Sequence, residues 1–167
     1  MKPAALLALA AFVLGGCAYH LGDARPSMMN GITTLAVPIS KNKTLEPNVE
    51  GVLSDTIVKA LQTDGTYRIN YTDRADAILY TTLARIDRWP ARSVRGNVLA
   101  TSEYEFIVTV DYEVIDRPTG KRLMQGAVNG KTSFFVSADM QTDEIQALPL
   151  AFTDAATALA SRLSEGF

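Results

Sequence analysis

Strict alternation of apolar and polar side chains over residues 101–116 is the clearest structural signal in this sequence. Six large apolar side chains occupy alternate positions: Tyr104, Phe106, Val108, Val110, Tyr112 and Val114. The positions between them are mostly polar: Glu103, Glu105, Thr109, Asp111 and Glu113. A period of two predicts a half-buried β-strand. Pro118 and Gly120 then predict a β-turn, and residues 121–136 predict the partner strand of an antiparallel hairpin.

Two segments repeat their apolar residues at the spacing of a helix. The first begins near Pro47, a residue suited to a first helical turn, and Gly65 is its predicted C-cap. The second covers residues 141–165 and contains Pro149. A proline at that position predicts either a helix start near residue 149 or a kink there.

Shorter runs rich in β-branched and aromatic residues predict the other strands. Residues 32–37 form one, residues 67–70 a short strand or link, and residues 77–89 a longer strand that ends at Pro90. A basic loop is expected at residues 91–97. The order strand, helix, several strands, helix predicts an α+β two-layer sandwich, with two helices against one face of a mixed sheet.

The first 16 residues predict a signal peptide. Lys2 precedes an apolar run at residues 3–14, which is shorter than the roughly 20 residues that cross a bilayer as a helix. The run ends in Leu14-Gly15-Gly16-Cys17, which is similar to the lipobox of bacterial lipoproteins. Cys17 is therefore the predicted lipidation site, and the alternative is an ordinary signal peptide with an incidental cysteine.

The remaining chain divides into two parts. Residues 17–31 predict a lipidated tether, because Gly22, Pro26 and Gly31 favour loop structure. Residues 32–167 predict a single domain held at a membrane by its acyl chains.

Composition narrows the possible functions. The 167 residues are 47% hydrophobic and 20% charged, with a net charge of -2, one histidine and one cysteine. This balance argues against a nucleic-acid partner. A single histidine and a single cysteine exclude a disulfide framework and a multi-cysteine zinc site. We therefore expect no enzyme, no metal and no cofactor.

Two patterns that resemble catalytic motifs also fail on inspection. Gly126 and Gly130-Lys131-Thr132 lack the spacing of a phosphate-binding loop and lie in a predicted strand. The acidic row on the polar face of residues 101–116 lacks the burial that acid–base catalysis requires.

A cluster of cations is the remaining candidate site: Arg85, Arg88, Arg92, Arg95 and Lys131. Arginine's planar guanidinium suits phosphate and carboxylate groups, and Trp89 adds an apolar side chain nearby. One interpretation is a binding surface for an amphiphile that carries phosphates. The other is a charged loop that keeps a sheet edge soluble.

Several further segments occur in a recognisable order. They are Cys17-Ala18-Tyr19-His20-Leu21 after the lipobox, Leu35-Ala36-Val37-Pro38, Asn42-Lys43-Thr44 before Pro47, residues 102–106, Thr119-Gly120, residues 133–135 and the terminal helix. Together these segments resemble the LPS-assembly lipoprotein (LptE) family. The resemblance implies two helices on one face of a four-stranded, mostly antiparallel sheet. It also implies a non-enzymatic protein that plugs and helps assemble an LptD-type β-barrel translocon.

The resemblance further implies a lipid-anchored protein on the periplasmic side of the outer membrane that assists lipopolysaccharide insertion. Ala18 after Cys17 agrees with outer-membrane sorting. The family's basic loop residue corresponds to Arg95, and Arg92, Arg88 and Lys131 complete the expected lipopolysaccharide-binding set. Two rivals are an accessory lipoprotein of another envelope lipid-transport complex and a lipoprotein enzyme.

Overall fold

The computed structural model describes residues 25–94, 97–137 and 139–166. In these ranges the chain forms a 3₁₀ turn (Ser27–Met29), six β-strands and two α-helices. The strands are β1 (Thr34–Ala36), β2 (Lys41–Asn42), β3 (Arg68–Ile69), β4 (Ala77–Val94), β5 (Asn97–Asp116) and β6 (Arg122–Phe135). The helices are α1 (Glu50–Asp64) and α2 (Met140–Glu165).

The strands form one mixed sheet in the order β3-β1-β4-β5-β6, with β2 also paired to β4. β1 pairs with β3 and with β4, and β2 pairs with β4, all in parallel. β5 pairs with β4 and with β6 in antiparallel orientation. The predicted α+β fold with two helices and a mixed sheet is confirmed. The expected count of four strands is wrong, because the described residues form a sheet of 6 strands. β3 lies within residues 67–70, which were predicted as a short strand or link, whereas β2 was not predicted. Each contains only 2 residues, too few to produce a periodic signal.

Both helices cover the same face of the sheet, and β5 supplies the centre of the core. Phe106, Val108, Val110 and Val114 are each at most 1% exposed, which confirms the predicted alternation. The helices contribute further buried side chains: Leu53, Ile57 and Leu61 from α1, and Leu148, Phe152, Leu159 and Leu163 from α2.

α2 begins at Met140 because Asp139 caps it, accepting a hydrogen bond from the backbone N–H of Thr142. The helix therefore passes through Pro149, and the predicted alternative of a start near that residue is wrong. Proline has no N–H, so the carbonyl of Ile145 cannot form its usual hydrogen bond four residues along the helix.

α2 lies so close to β6 that only a glycine fits between them. A Cβ atom on Gly130 would lie 2.0 Å from the carbonyl oxygen of Ala151 and 2.4 Å from the backbone nitrogen of Ala155. The neighbouring N–H of Lys131 donates to the Asp154 carboxylate on α2 at 2.8 Å. These contacts hold the edge strand β6 directly under the helix.

β4 differs from its prediction in length. It does not end at Pro90 but continues to Val94, so the expected basic loop is largely an extension of the β4–β5 hairpin. Proline is compatible with this strand because no described strand pairs with the other edge of β4 beyond Leu83. A register shift between Leu83 and Arg85 leaves Ala84 as a bulge.

The start of the described chain is packed against the domain. Met29 has no exposed surface, and the guanidinium of Arg25 lies 5.5 Å from the centroid of the Tyr67 ring. The last part of the segment predicted as a tether therefore contributes to the core.

A single carboxylate joins β1 to the start of β4. One oxygen of Asp76 accepts hydrogen bonds from the N–H and hydroxyl of Thr33 and from the N–H of Thr34, each at 2.9 Å. The Thr33 N–H is the main cause that lowers the pKa of Asp76 to about 2, from an ordinary value of 3.8.

Candidate functional site

The cations predicted as one cluster lie on two different faces of the sheet. Arg88 lies on the face that carries the helices, and Arg92 and Lys131 lie on the opposite one. We call this helix-free face the outer face. Arg95 and Cys17 lie outside the described residues, so the structure places neither.

Arg88 is held by two carboxylates and an aromatic ring. Its Nη2 lies 2.7 Å from an oxygen of Glu46, and its Nε lies 3.0 Å from an oxygen of Glu144. Its guanidinium carbon is 5.4 Å from the centroid of the Phe106 ring. Arg88 therefore joins β4 to the segment before α1 and to the first turns of α2.

Arg92 and Lys131 occupy the outer face near the far end of the hairpin. Arg92 pairs across the sheet with Glu103, and its Nε lies 3.5 Å from that carboxylate. Its side chain is 71% exposed, so the ion pair contributes only about 0–1 kcal/mol. Lys131 is exposed and lies opposite Ile107, four residues further along β5. Strand spacings therefore separate the two Cα atoms by about 17 Å.

Two large aromatic side chains are exposed on the same face. Trp89 is 59% exposed and pairs with Glu105, and Phe135 is 66% exposed and pairs with Glu103. Sequence reasoning missed Phe135, although alternation from the buried Phe134 places it on the outer face. We define the distal surface as Trp89, Arg92, Lys131 and Phe135. It combines cations, which can bind the anionic groups of an amphiphile, with aromatic side chains, which can contact its apolar part.

A second feature of the outer face lies at the opposite end of the sheet. It is an open groove of about 670 Å³, lined by Lys41, Lys43, Tyr80, Asp111 and Arg122 among others. Its charges are mixed, and Arg122 is hydrogen-bonded to Glu113. The groove therefore favours no single class of ligand, and it is separate from the distal surface.

The described residues contain no group of three or more histidine, cysteine or acidic side chains placed to hold a metal ion. Within the same ranges, neither helix has the length and apolar composition needed to cross a membrane.

Comparison with known families decides what kind of protein this is. The family model described as LptE: Lipopolysaccharide-assembly matches residues 32–163, most of the chain. The chain belongs to the LptE family. The resemblance predicted from sequence is confirmed, and this LptE-family protein is thereby placed among the proteins of lipopolysaccharide assembly. Among curated proteins, none matches the sequence significantly.

Several solved structures share the fold of this LptE-family chain. A Xanthomonas campestris protein aligns with a TM-score of 0.58 at 15% identity, over 80% of this chain and 85% of its own. A minor lipoprotein of Acinetobacter baumannii aligns with a TM-score of 0.52 at 14% identity, over 81% and 92%. PelC of Paraburkholderia phytofirmans, a dodecamer in its crystal, aligns with a TM-score of 0.52 at 16% identity, over 79% and 89%. Identities this low establish similarity of fold alone.

Proposed function

We propose that this LptE-family protein plugs and helps assemble an LptD-type β-barrel translocon, and assists insertion of lipopolysaccharide into the outer leaflet. In this proposal the protein is not an enzyme. It is anchored through acyl chains on Cys17 at the periplasmic face of the outer membrane. The observation that carries the proposal is the distal surface, which exposes cations and aromatics on the outer face of a chain from a lipopolysaccharide-assembly family.

The chemistry of the distal surface suits lipopolysaccharide. Arg92 and Lys131 supply charge for phosphate groups, and Trp89 and Phe135 supply apolar contact area for the adjoining acyl or sugar parts. We propose Arg95 as a further contact, since it follows the described end of β4. Arg88 is expected to contribute least, because binding a phosphate requires it to exchange two carboxylate partners.

Binding of lipopolysaccharide to an unlipidated form (residues 18–167) tests this surface. Charge-assisted hydrogen bonds contribute about 1.5–3 kcal/mol each, so Lys131→Glu, Arg92→Glu and Arg95→Asp should each weaken binding at least ~10-fold. The matched control is Lys59→Glu, which makes the same charge change at an exposed position on α1. Equal binding by the variants and the control would contradict the proposal that the distal surface binds lipopolysaccharide.

Partnership with a barrel needs a separate experiment. The full chain is extracted from membranes with mild detergent and purified, and its partner is identified by mass spectrometry. We expect an outer-membrane barrel of the LptD type. Recovery of a different envelope lipid-transport complex would favour the alternative assignment to that machinery.

A further inference from the structure

A groove of about 380 Å³ lies between the N-terminal ends of α1 and α2. Its walls are largely apolar and include Val52 from α1 and Ile145, Leu148 and Phe152 from α2. Ile145 is 59% exposed and Val52 is 44% exposed, so the groove presents apolar surface to its opening. Its volume lies within the range of pockets that bind small groups, at about 300–1,000 Å³.

The groove wall also contains a backbone hydrogen-bond acceptor without its helical donor. Ile145 and Pro149 both line the groove, and Pro149 has no N–H to give to the Ile145 carbonyl. Ile145 is exposed, so water can donate to this carbonyl while the groove is empty. A peptide that displaces this water offers an N–H group in its place, whereas an acyl chain does not.

The mouth of the groove is acidic. Glu46 and Glu144 line it and share the single positive charge of Arg88. Glu50 lies in the first turn of α1, and Asp143 lies in the first turn of α2. Each helix N-terminus adds only about half a positive charge, which the first-turn carboxylates of Glu50 and Asp143 offset although neither lines the groove. The two lining carboxylates, Glu46 and Glu144, therefore outweigh the one charge of Arg88. The mouth therefore repels phosphate and carboxylate headgroups and attracts cations.

We propose that this groove docks a peptide segment of a partner protein. The segment inserts one large apolar side chain between Val52 and Ile145, and it places a lysine or arginine near Glu46 and Glu144. Its backbone or side-chain N–H donates to the Ile145 carbonyl. The site lies on the helix-bearing side, so the inference does not depend on the lipopolysaccharide surface proposed for the outer face.

Selection from a phage-displayed library of random dodecapeptides tests the proposal on the full chain in nanodiscs. Enriched peptides should share a large apolar residue next to lysine or arginine. Synthetic versions, measured by fluorescence anisotropy, should lose at least ~10-fold in affinity against Ile145→Asn, which removes the apolar side chain without adding charge. The matched control is Leu150→Asn, because Leu150 is an exposed apolar residue of α2 that does not line the groove. Circular dichroism checks that both variants are folded.

Variants of Gln141 test the effect of charge on peptide binding separately from the effect of apolar packing, because Gln141 lines the groove and is exposed. Gln141→Lys should weaken binding of the basic peptides and Gln141→Glu should strengthen it, with the difference reduced by salt. The proposal is overturned if enriched peptides lack basic residues, or if no peptide distinguishes the wild type from Ile145→Asn. It is also overturned if lauric acid binds the groove more tightly than any peptide, or if sedimentation shows a dimer that depends on Ile145. These last two results would assign the groove to an acyl chain or to a second copy.

Discussion

Replacing Gly130 with alanine tests the contact that holds α2 on the sheet. The new Cβ would lie 2.0 Å from the Ala151 carbonyl oxygen, whereas ordinary contact begins at 3.4 Å, so the overlap is 3.4 − 2.0 = 1.4 Å. The second obstacle, the backbone nitrogen of Ala155, would be 2.4 Å away. Both obstacles belong to the helix backbone and cannot rotate aside, so α2 must move by more than ~1 Å at its centre.

Such a movement is costly because α2 carries much of the core. Overpacking that side-chain shifts relieve costs about 1–3 kcal/mol. Displacing α2 also loosens Phe152 and Leu159, which are at most 1% exposed, so we expect a loss of at least about 3 kcal/mol. At about 2–4 °C per kcal/mol for a chain of this size, the Tm should fall by roughly 6–12 °C.

Urea denaturation of residues 18–167, followed by circular dichroism, measures this loss against two other glycines. A Cβ on Gly126 would meet only the Tyr112 side chain, at 2.9 Å from its hydroxyl oxygen, so Gly126→Ala should have a smaller effect. Gly51→Ala meets nothing within 4 Å and should stabilise α1 by up to ~1 kcal/mol. A Gly130→Ala protein within about 0.5 kcal/mol of the wild type would refute the packing argument.

Three further predictions concern the core, an acidic contact and the anchor. Val110→Asp should cost several kcal/mol in a urea melt, because Val110 is 1% exposed, whereas Thr109→Asp should be mild; equal losses would contradict the register. The lowered pKa of Asp76 stabilises the fold above about pH 4, and this contribution should disappear as the pH falls towards about 2. Asp76→Asn should lack this pH-dependent loss of stability. In the wild type the loss should be about 1 kcal/mol or less, because the carboxylate is solvent-accessible. Cys17→Ser should release the protein from the membrane fraction, and retention without a barrel partner would disprove the anchor.

Local periodicity was sufficient to predict the elements that carry most of the core. The alternation of residues 104–114 matches the buried face of β5, because a period of two is a property of the strand itself. The turn at residues 117–120 and the span of α2 also follow from local chemistry. Membership of the LptE family was predicted from the order of several short segments.

The strand count and the end of β4 were not predictable in the same way. β2 was not predicted, and residues 67–70, which contain β3, were predicted only as a strand or a link, because two residues contain no period. Pairing of β2 with β4 and of β3 with β1 makes them strands. Pro90 normally signals the end of a strand, but here β4 pairs through it with β5 alone. In both cases the deciding contact comes from a residue distant in the sequence.

The amino-acid sequence specifies which side chains are available for a site, whereas the folded sheet sets which of them share a face. The bulge at Ala84 reverses the two faces of β4, so that Leu83 and Arg88 lie on the helix-bearing face while Trp89 lies on the outer one. Arg88 consequently reaches Glu46 and Glu144 instead of joining the distal surface. A bulge is set by pairing with the neighbouring strand, and one extra residue moves every later side chain to the other face.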